Sequence, residues 1–165
     1  MCKLKPSKRA EPRIPLSVPH MGGSELARVR EVFESGWVTT AGQKLVELEK
    51  RFTAMTGCPA VALANGTSAL HLAVKLAGVS EEDEVVMPTL TFAATANAVL
   101  YERGRPVFLD VTREDWGLDA ELLVEFLEKR ARTNRLPKAV IVVHLFGQCA
   151  DLDPILEACK RHGVT

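Results

Sequence analysis

The chain has 165 residues, enough for one domain with a core of its own. Apolar residues make up 47% and charged residues 25%, the proportions of an ordinary soluble globular protein. With 21 basic against 21 acidic side chains, no net field draws it to nucleic acid or an anionic membrane, and no apolar run approaches the roughly 18 residues that span a bilayer. Lys3, Lys5, Lys8, Arg9 and Arg13 crowd the first thirteen residues, prolines deny them a regular helix, and no apolar stretch follows as a signal peptide requires. Residues 1–13 are therefore expected to be a flexible basic arm on a cytoplasmic protein, with residues 14–165 as one folded piece. Cys2, Cys58, Cys149 and Cys159 show neither zinc nor disulfide spacing, so free thiols and no metal site are expected.

From Ser24, a good N-cap, Leu26, Val29, Val32 and Phe33 recur at helical spacing until Gly36. A loop bracketed by Gly36 and Gly42 follows, then a helix with Leu45, Leu48, Phe52 and Met55 on one face and Gly57 as its stop. Residues 59–64 read as a buried strand, 65–68 as a loop, and 69–77 as a nearly all-apolar helix. Strands are expected at 85–87, 106–109 and 138–143, and helices at 91–101 and at about 118–130. After a loop at 144–150, Asp153-Pro154 caps a last helix that Gly163 stops. Val164 and Thr165 read as the first step of a further buried strand, so the chain is expected to be cut rather than complete. The β-α-β alternation predicts an α/β fold, a largely parallel sheet with helices on both faces.

Ligands of parallel α/β sheets sit outside the carboxyl ends of the strands. Three loops in this reading leave such ends: 65–68, 88–91 and 144–150. In the first, Gly66 lets a ligand approach the backbone, Thr67 and Ser68 add hydroxyls, and the amides of a helix start suit a phosphate. On these residues alone, the commoner reading is that Asn65 or Thr67 does no more than cap the helix. Phe92 could stack on a flat ring held by the first loop or be an ordinary core residue. His144 stands where a strand leaves the sheet, a position open to a functional or a structural histidine. Trp37, Thr39 and Thr40 could line a pocket or pack under their loop. No dinucleotide fingerprint and no P-loop is present.

Taken in order, Gly36-Trp37-Val38-Thr39-Thr40-Ala41-Gly42, Asn65-Gly66-Thr67-Ser68-Ala69-Leu70, Pro88-Thr89-Leu90-Thr91-Phe92-Ala93-Ala94-Thr95 and Val143-His144-Leu145-Phe146-Gly147 together resemble one family. It is the DegT/StrS family of sugar aminotransferases, pyridoxal-phosphate enzymes of fold-type I, the aspartate aminotransferase architecture. The resemblance runs from about Ile14 to Thr165 and implies that the chain is the incomplete large domain of such an enzyme. It implies that Gly66, Thr67 and Ser68 seat the cofactor phosphate, that Phe92 lies against the pyridine ring, and that Trp37, Thr39 and Thr40 lie by the active-site mouth. His144 matches a position near the cofactor with no role assigned. The start Ile14-Pro15-Leu16-Ser17-Val18-Pro19, with Gly36-Trp37-Val38, is especially similar to members acting on nucleotide-linked, for example UDP-linked, 4-keto-6-deoxy hexosamines.

The same resemblance puts the aspartate that pairs with the pyridine nitrogen, and the Schiff-base lysine, beyond Thr165. No lysine in the chain is expected in a loop at a strand's carboxyl end, so no catalytic residue is assigned and the chain alone is expected to be inactive. The complete enzyme would be a homodimer moving an amino group, from glutamate, to a nucleotide-linked keto sugar in surface-polysaccharide synthesis. Two alternatives stand beside it: a sugar dehydratase of the same family, with histidine in the lysine's place, and a non-catalytic remnant that pairs with a full-length relative.

Overall fold

A computed structural model describes Pro15 and residues 18–165. The basic arm expected at residues 1–13, together with Ile14, Leu16 and Ser17, lies outside the described residues. The described residues form two compact units, which divide between Ala62 and Leu63.

The first unit holds two helices, α1 (Glu25–Ser35) and α2 (Gln43–Thr56). Ser24 stands before α1, but its backbone is already helical and its side chain makes no cap bond. The Glu25 carboxylate instead holds the segment leading into the helix, accepting from the Gly22 and Gly23 amides at 2.6 and 2.8 Å. Gly36 and Gly57 end the helices with φ 72° and 73°, the left-handed turn that glycine adopts without a Cβ clash. Neither helix contains a fully buried residue.

The buried strand expected at 59–64 is not formed. Val61 is 70% exposed, and the segment joins no sheet among the described residues. Alternate amides bond instead to side chains of α2: Ala60 to Thr53 Oγ1 and Ala62 to Glu49 Oε1, both at 3.0 Å. The short apolar run reports an extended backbone, while a strand also needs a neighbour to ladder with.

The second unit contains α3 (Gly66–Leu76), β1 (Glu84–Pro88), α4 (Ala93–Tyr101), β2 (Arg105–Leu109), α5 (Ala120–Arg132), β3 (Ala139–Val140), a 3-10 turn (Leu145–Gly147) and α6 (Leu152–His162). The three strands are parallel in the order β2-β1-β3, with Val86 opposite Val107 on one side and Val140 on the other. Side chains alternate across this sheet. Val86, Val107 and Val140 join Leu123 and Leu127 of α5 and Ile155, Ala158 and Cys159 of α6 in one core. Val85, Met87 and Ala139 join Val74 of α3 and Ala98 and Val99 of α4 in the other. Helices therefore cover both faces.

Two boundaries differ from the sequence expectation by three residues or more, the others by one or two. α3 begins at Gly66 rather than 69, because Asn65 caps it. β3 has two residues rather than six. The Lys138 amide bonds the Glu84 carbonyl and the Ile141 amide the Val86 carbonyl, each at 2.8 Å, so three steps on this strand match two on β1. Pro88 then has no amide to extend the ladder. On the other side of β3, Val140 N donates to Thr165 O at 2.8 Å and Thr165 N to Lys138 O at 3.3 Å, which sets Val164 and Thr165 alongside it.

Glu102, just past α4, ties that helix to α3: His71 Nε2 donates to its Oε1 at 2.6 Å, and Lys75 Nζ lies 3.5 Å away. The His71 hydrogen bond, ahead of the Lys75 charge, holds the Glu102 carboxyl below its ordinary 4.5. Bonds from the Ser80 hydroxyl and amide lower Asp83, and bonds from the Thr112 hydroxyl and Gly117 amide lower Asp115, relative to an ordinary 3.8. Each carboxylate is easier to ionise in the folded chain, so its stabilisation is present above its unfolded value and is lost as pH falls through the folded one. The melting temperature is therefore expected to drop between about pH 5 and about pH 3. Glu102→Gln should flatten part of that drop, and a level profile over this window would refute the linkage.

Candidate functional site

The carboxyl ends of β1 and β2 are joined. The Thr89 amide donates to the Leu109 carbonyl at 2.8 Å, and Thr89 Oγ1 donates to Asp110 Oδ1 at 3.2 Å. Phe92 follows as the N-cap residue of α4, in extended conformation and 77% exposed. It is not a core phenylalanine: the buried face of α4 is made by Ala94, Thr95, Ala98 and Val99. Its ring is free to lie against a ligand at this edge.

α3 starts with Gly66, so Gly66, Thr67 and Ser68 form its first turn rather than a loop before it. Asn65 Oδ1 accepts from the Ser68 amide at 2.9 Å. The Gly66 and Thr67 amides have no protein acceptor among the described residues, and a Cβ on Gly66 would meet nothing within 4 Å. Capping by Asn65 thus satisfies one amide of the first turn and leaves those of Gly66 and Thr67, at the positive end of an 11-residue helix, without an acceptor among the described residues. That arrangement, with the Thr67 and Ser68 hydroxyls beside it, fits a phosphate group. Asn65→Ala is expected to cost about 1 kcal/mol through loss of the cap. A chemical-denaturation midpoint unchanged from wild type would show that the cap carries no stability.

His144 is exposed, and its Nδ1 accepts from the Ala150 amide at 3.1 Å, closing the 144–150 loop. In the neutral ring the proton is then on Nε2, which has no protein partner among the described residues. Phe146 stands in this loop at φ 54° and 70% exposed. In the first unit, Trp37 and Thr39 line a cavity of ≈570 Å³ between the end of α1 and the start of α2, and Thr40 is not part of its lining. Thr39 Oγ1 accepts from Ala41 N, Trp37 N donates to Ser35 Oγ, and Gly42 at φ 151° closes the loop.

One strand end escaped the sequence reading. The turn after β2 brings Asp110, Arg113 and Trp116 to a single cavity. The signal available was an acidic residue directly after an apolar strand and a tryptophan before a glycine, neither of which belongs to a recognised motif.

Residues 19–165 match the model of the DegT/DnrJ/EryC1/StrS aminotransferase family. The chain is 40% identical to GDP-perosamine synthase of Caulobacter vibrioides over 154 residues, covering 93% of this chain and 40% of that protein. It is 38% identical to the spore coat polysaccharide biosynthesis protein SpsC of Bacillus subtilis, over 92% of this chain and 37% of that one. Among solved structures, Spr1654 from Streptococcus pneumoniae in its PLP form superposes with a TM-score of 0.76 at 31% identity, over 92% of this chain and 38% of that one. The chain spans about two fifths of the length of these relatives. Likeness in sequence and likeness in backbone run over the same residues, and on that ground the chain belongs to the DegT/DnrJ/EryC1/StrS aminotransferase family.

Proposed function

We propose that this chain carries the cofactor-phosphate seat of a pyridoxal-phosphate-dependent enzyme that moves an amino group from glutamate to a keto group on a nucleotide-linked sugar. The observation that carries the reading is the open amide pair at Gly66 and Thr67, at the head of a helix in a family-matched chain. Relatives named for GDP-perosamine and for spore coat polysaccharide support a nucleotide-linked sugar and a role in surface-polysaccharide synthesis. In this reading the enzyme is a cytoplasmic homodimer that takes neither nucleic acid nor membrane as partner.

Bound pyridoxal phosphate supplies an electron sink for the bonds broken at the substrate carbon. The chain's own residues hold and orient. The Gly66 and Thr67 amides and the Thr67 and Ser68 hydroxyls bind the phosphate, and the Asn65 cap keeps that turn from fraying. Phe92 covers one face of the ring, and its packing keeps water from that face. His144 offers Nε2 as a donor at the same edge. Trp37, Thr39 and Thr40 belong to the substrate side.

The described lysines stand on helix surfaces or, in the case of Lys138, before β3, and none follows a strand. This reading therefore assigns the proton-moving lysine and the ring-pairing aspartate to residues after Thr165, and it expects the chain alone to be inactive. The test is to incubate an enzyme that carries this chain together with the lysine-bearing remainder, and separately the chain alone, with pyridoxal phosphate, glutamate and GDP- or UDP-linked 4-keto-6-deoxy hexoses, and to analyse the sugar by mass spectrometry. The chain alone should form no product. An amino sugar formed together with 2-oxoglutarate supports the reading. A dehydrated sugar with no nitrogen gained would replace it with a dehydratase.

A further inference from the structure

β2 ends at Leu109, and residues 110–117 turn back toward α5. The turn is fixed from within. The Thr112 amide donates to Gly117 O at 3.0 Å, and the Asp115 carboxylate accepts from the Thr112 hydroxyl and, at 2.8 Å, from the Gly117 amide. An antiparallel bridge pairs Val111 with Leu118. Gly117 is packed so closely that a Cβ there would lie 2.9 Å from that of Ala150. Within this frame Trp116 adopts φ 60°, which is rare for a bulky side chain, and it remains 54% exposed. A turn this well tied could bury its aromatic residue; it presents it instead.

Trp116, Arg113, Asp110, Leu90, Val111 and Thr112 line a cavity of ≈440 Å³, within the range of small-ligand clefts. Three groups there have bonding capacity that the protein leaves unused. Arg113 forms no ion pair among the described residues, so its guanidinium is available. Asp110 uses Oδ1 for the Val111 amide at 2.9 Å and for the Thr89 hydroxyl, while Oδ2 accepts nothing among the described residues. Trp116 is half exposed, and its ring N–H has no protein acceptor among them.

These groups constrain the ligand together. Arg113 asks for an anion, and phosphate matches its planar fork. Trp116 asks for a flat ring. Asp110 repels anions and rewards hydroxyl donors, which argues against bare phosphate in the same place. A plain sugar lacks the anion, and a simple phosphate lacks both ring and donors.

We propose that this cavity binds a nucleoside diphosphate, with the base stacked on Trp116, the phosphates paired with Arg113, and a ribose hydroxyl donating to Asp110. The inference rests on the reading above that the sugar is carried on a nucleotide, and it names the place where that carrier is held.

Calorimetric titration of UDP, GDP and the corresponding nucleosides into the purified protein tests it. Trp116→Ala should weaken nucleotide and nucleoside alike, by roughly tenfold or more. Arg113→Gln should weaken the diphosphates by a similar factor and leave the nucleosides unchanged. Trp116→Phe, which keeps a stacking ring, should recover most of the affinity, and circular-dichroism melts identify any variant that has lost its fold. Pyridoxal-phosphate binding, followed by the same calorimetry because no Schiff-base lysine is assigned to this chain, should be the same in all of them. A wild-type protein that takes up pyridoxal phosphate but binds no nucleotide overturns this subsite and leaves the cofactor seat standing. Nucleotide affinity unaltered by Trp116→Ala and Arg113→Gln in folded variants overturns it as well.

Discussion

Leu127→Ala is expected to destabilise the second unit by about 2–5 kcal/mol. Leu127 is fully buried and sits where α5 meets both the sheet and α6, among Val86, Leu123, Ile155 and Ala158. Truncation removes the transfer energy of the side chain and leaves a cavity that a rigid sheet cannot collapse to fill. Whole domains are stable by only about 5–15 kcal/mol, so a substantial share of the total is at stake. Leu122 is the matched control, one residue earlier on the same helix but 39% exposed. Urea unfolding of the two alanine variants should place Leu127→Ala well below wild type and Leu122→Ala close to it. Equal midpoints would mean that the α5–α6 core carries little of the stability.

Ser68→Asp should move two measurements in opposite directions. Ser68 is exposed in the first turn of α3, where a carboxylate meets the positive end of the helix and stabilises it by about 0.3–1 kcal/mol. The same carboxylate would stand where the cofactor phosphate is proposed to sit. Two like charges about 4 Å apart near a protein surface repel by about 4 kcal/mol, enough for a loss of roughly 100-fold or more in pyridoxal-phosphate affinity. Ser68→Ala, which removes one hydroxyl, should lose roughly tenfold. A melting curve held or raised while the cofactor titration collapses would separate site from scaffold. Wild-type affinity in Ser68→Asp would move the phosphate away from this helix.

The helices were legible because their signals are local. Leu26, Val29 and Phe33 repeat at helical spacing, and Gly36, Gly57 and Gly163 stop their helices in left-handed turns, as a glycine after an amphipathic run suggests. β1 and β2 were legible for a similar reason, each being a short apolar run closed by a residue that ends a strand. Residues 59–64 look the same on paper, and what they lack is non-local: a strand to pair with. β3 was overextended because a continuous apolar run cannot report a bulge or the missing amide of Pro88. At the site, sequence left Asn65 as either a cap or part of a seat, and the geometry gives it the cap while leaving two neighbouring amides open. Phe92 was ambiguous because burial follows from which turn of the helix faces the sheet, and residue 92 precedes that turn. The cavity by Trp116 left only a faint trace in the sequence, since a left-handed tryptophan and an arginine without an ion pair among the described residues are products of the folded backbone.

β1 serves two cores at once, Val86 facing one and Val85 and Met87 the other. Because strand side chains alternate, a slip of one residue would exchange the two sets and put each side chain into a space shaped for its neighbour. The strand thus works as a reading frame for the unit, checked independently on both faces. Tolerance to inserted residues should follow that frame: a single-residue insertion scan should find the turn at 133–137 permissive and Glu84–Pro88 closed, although both segments are five residues long.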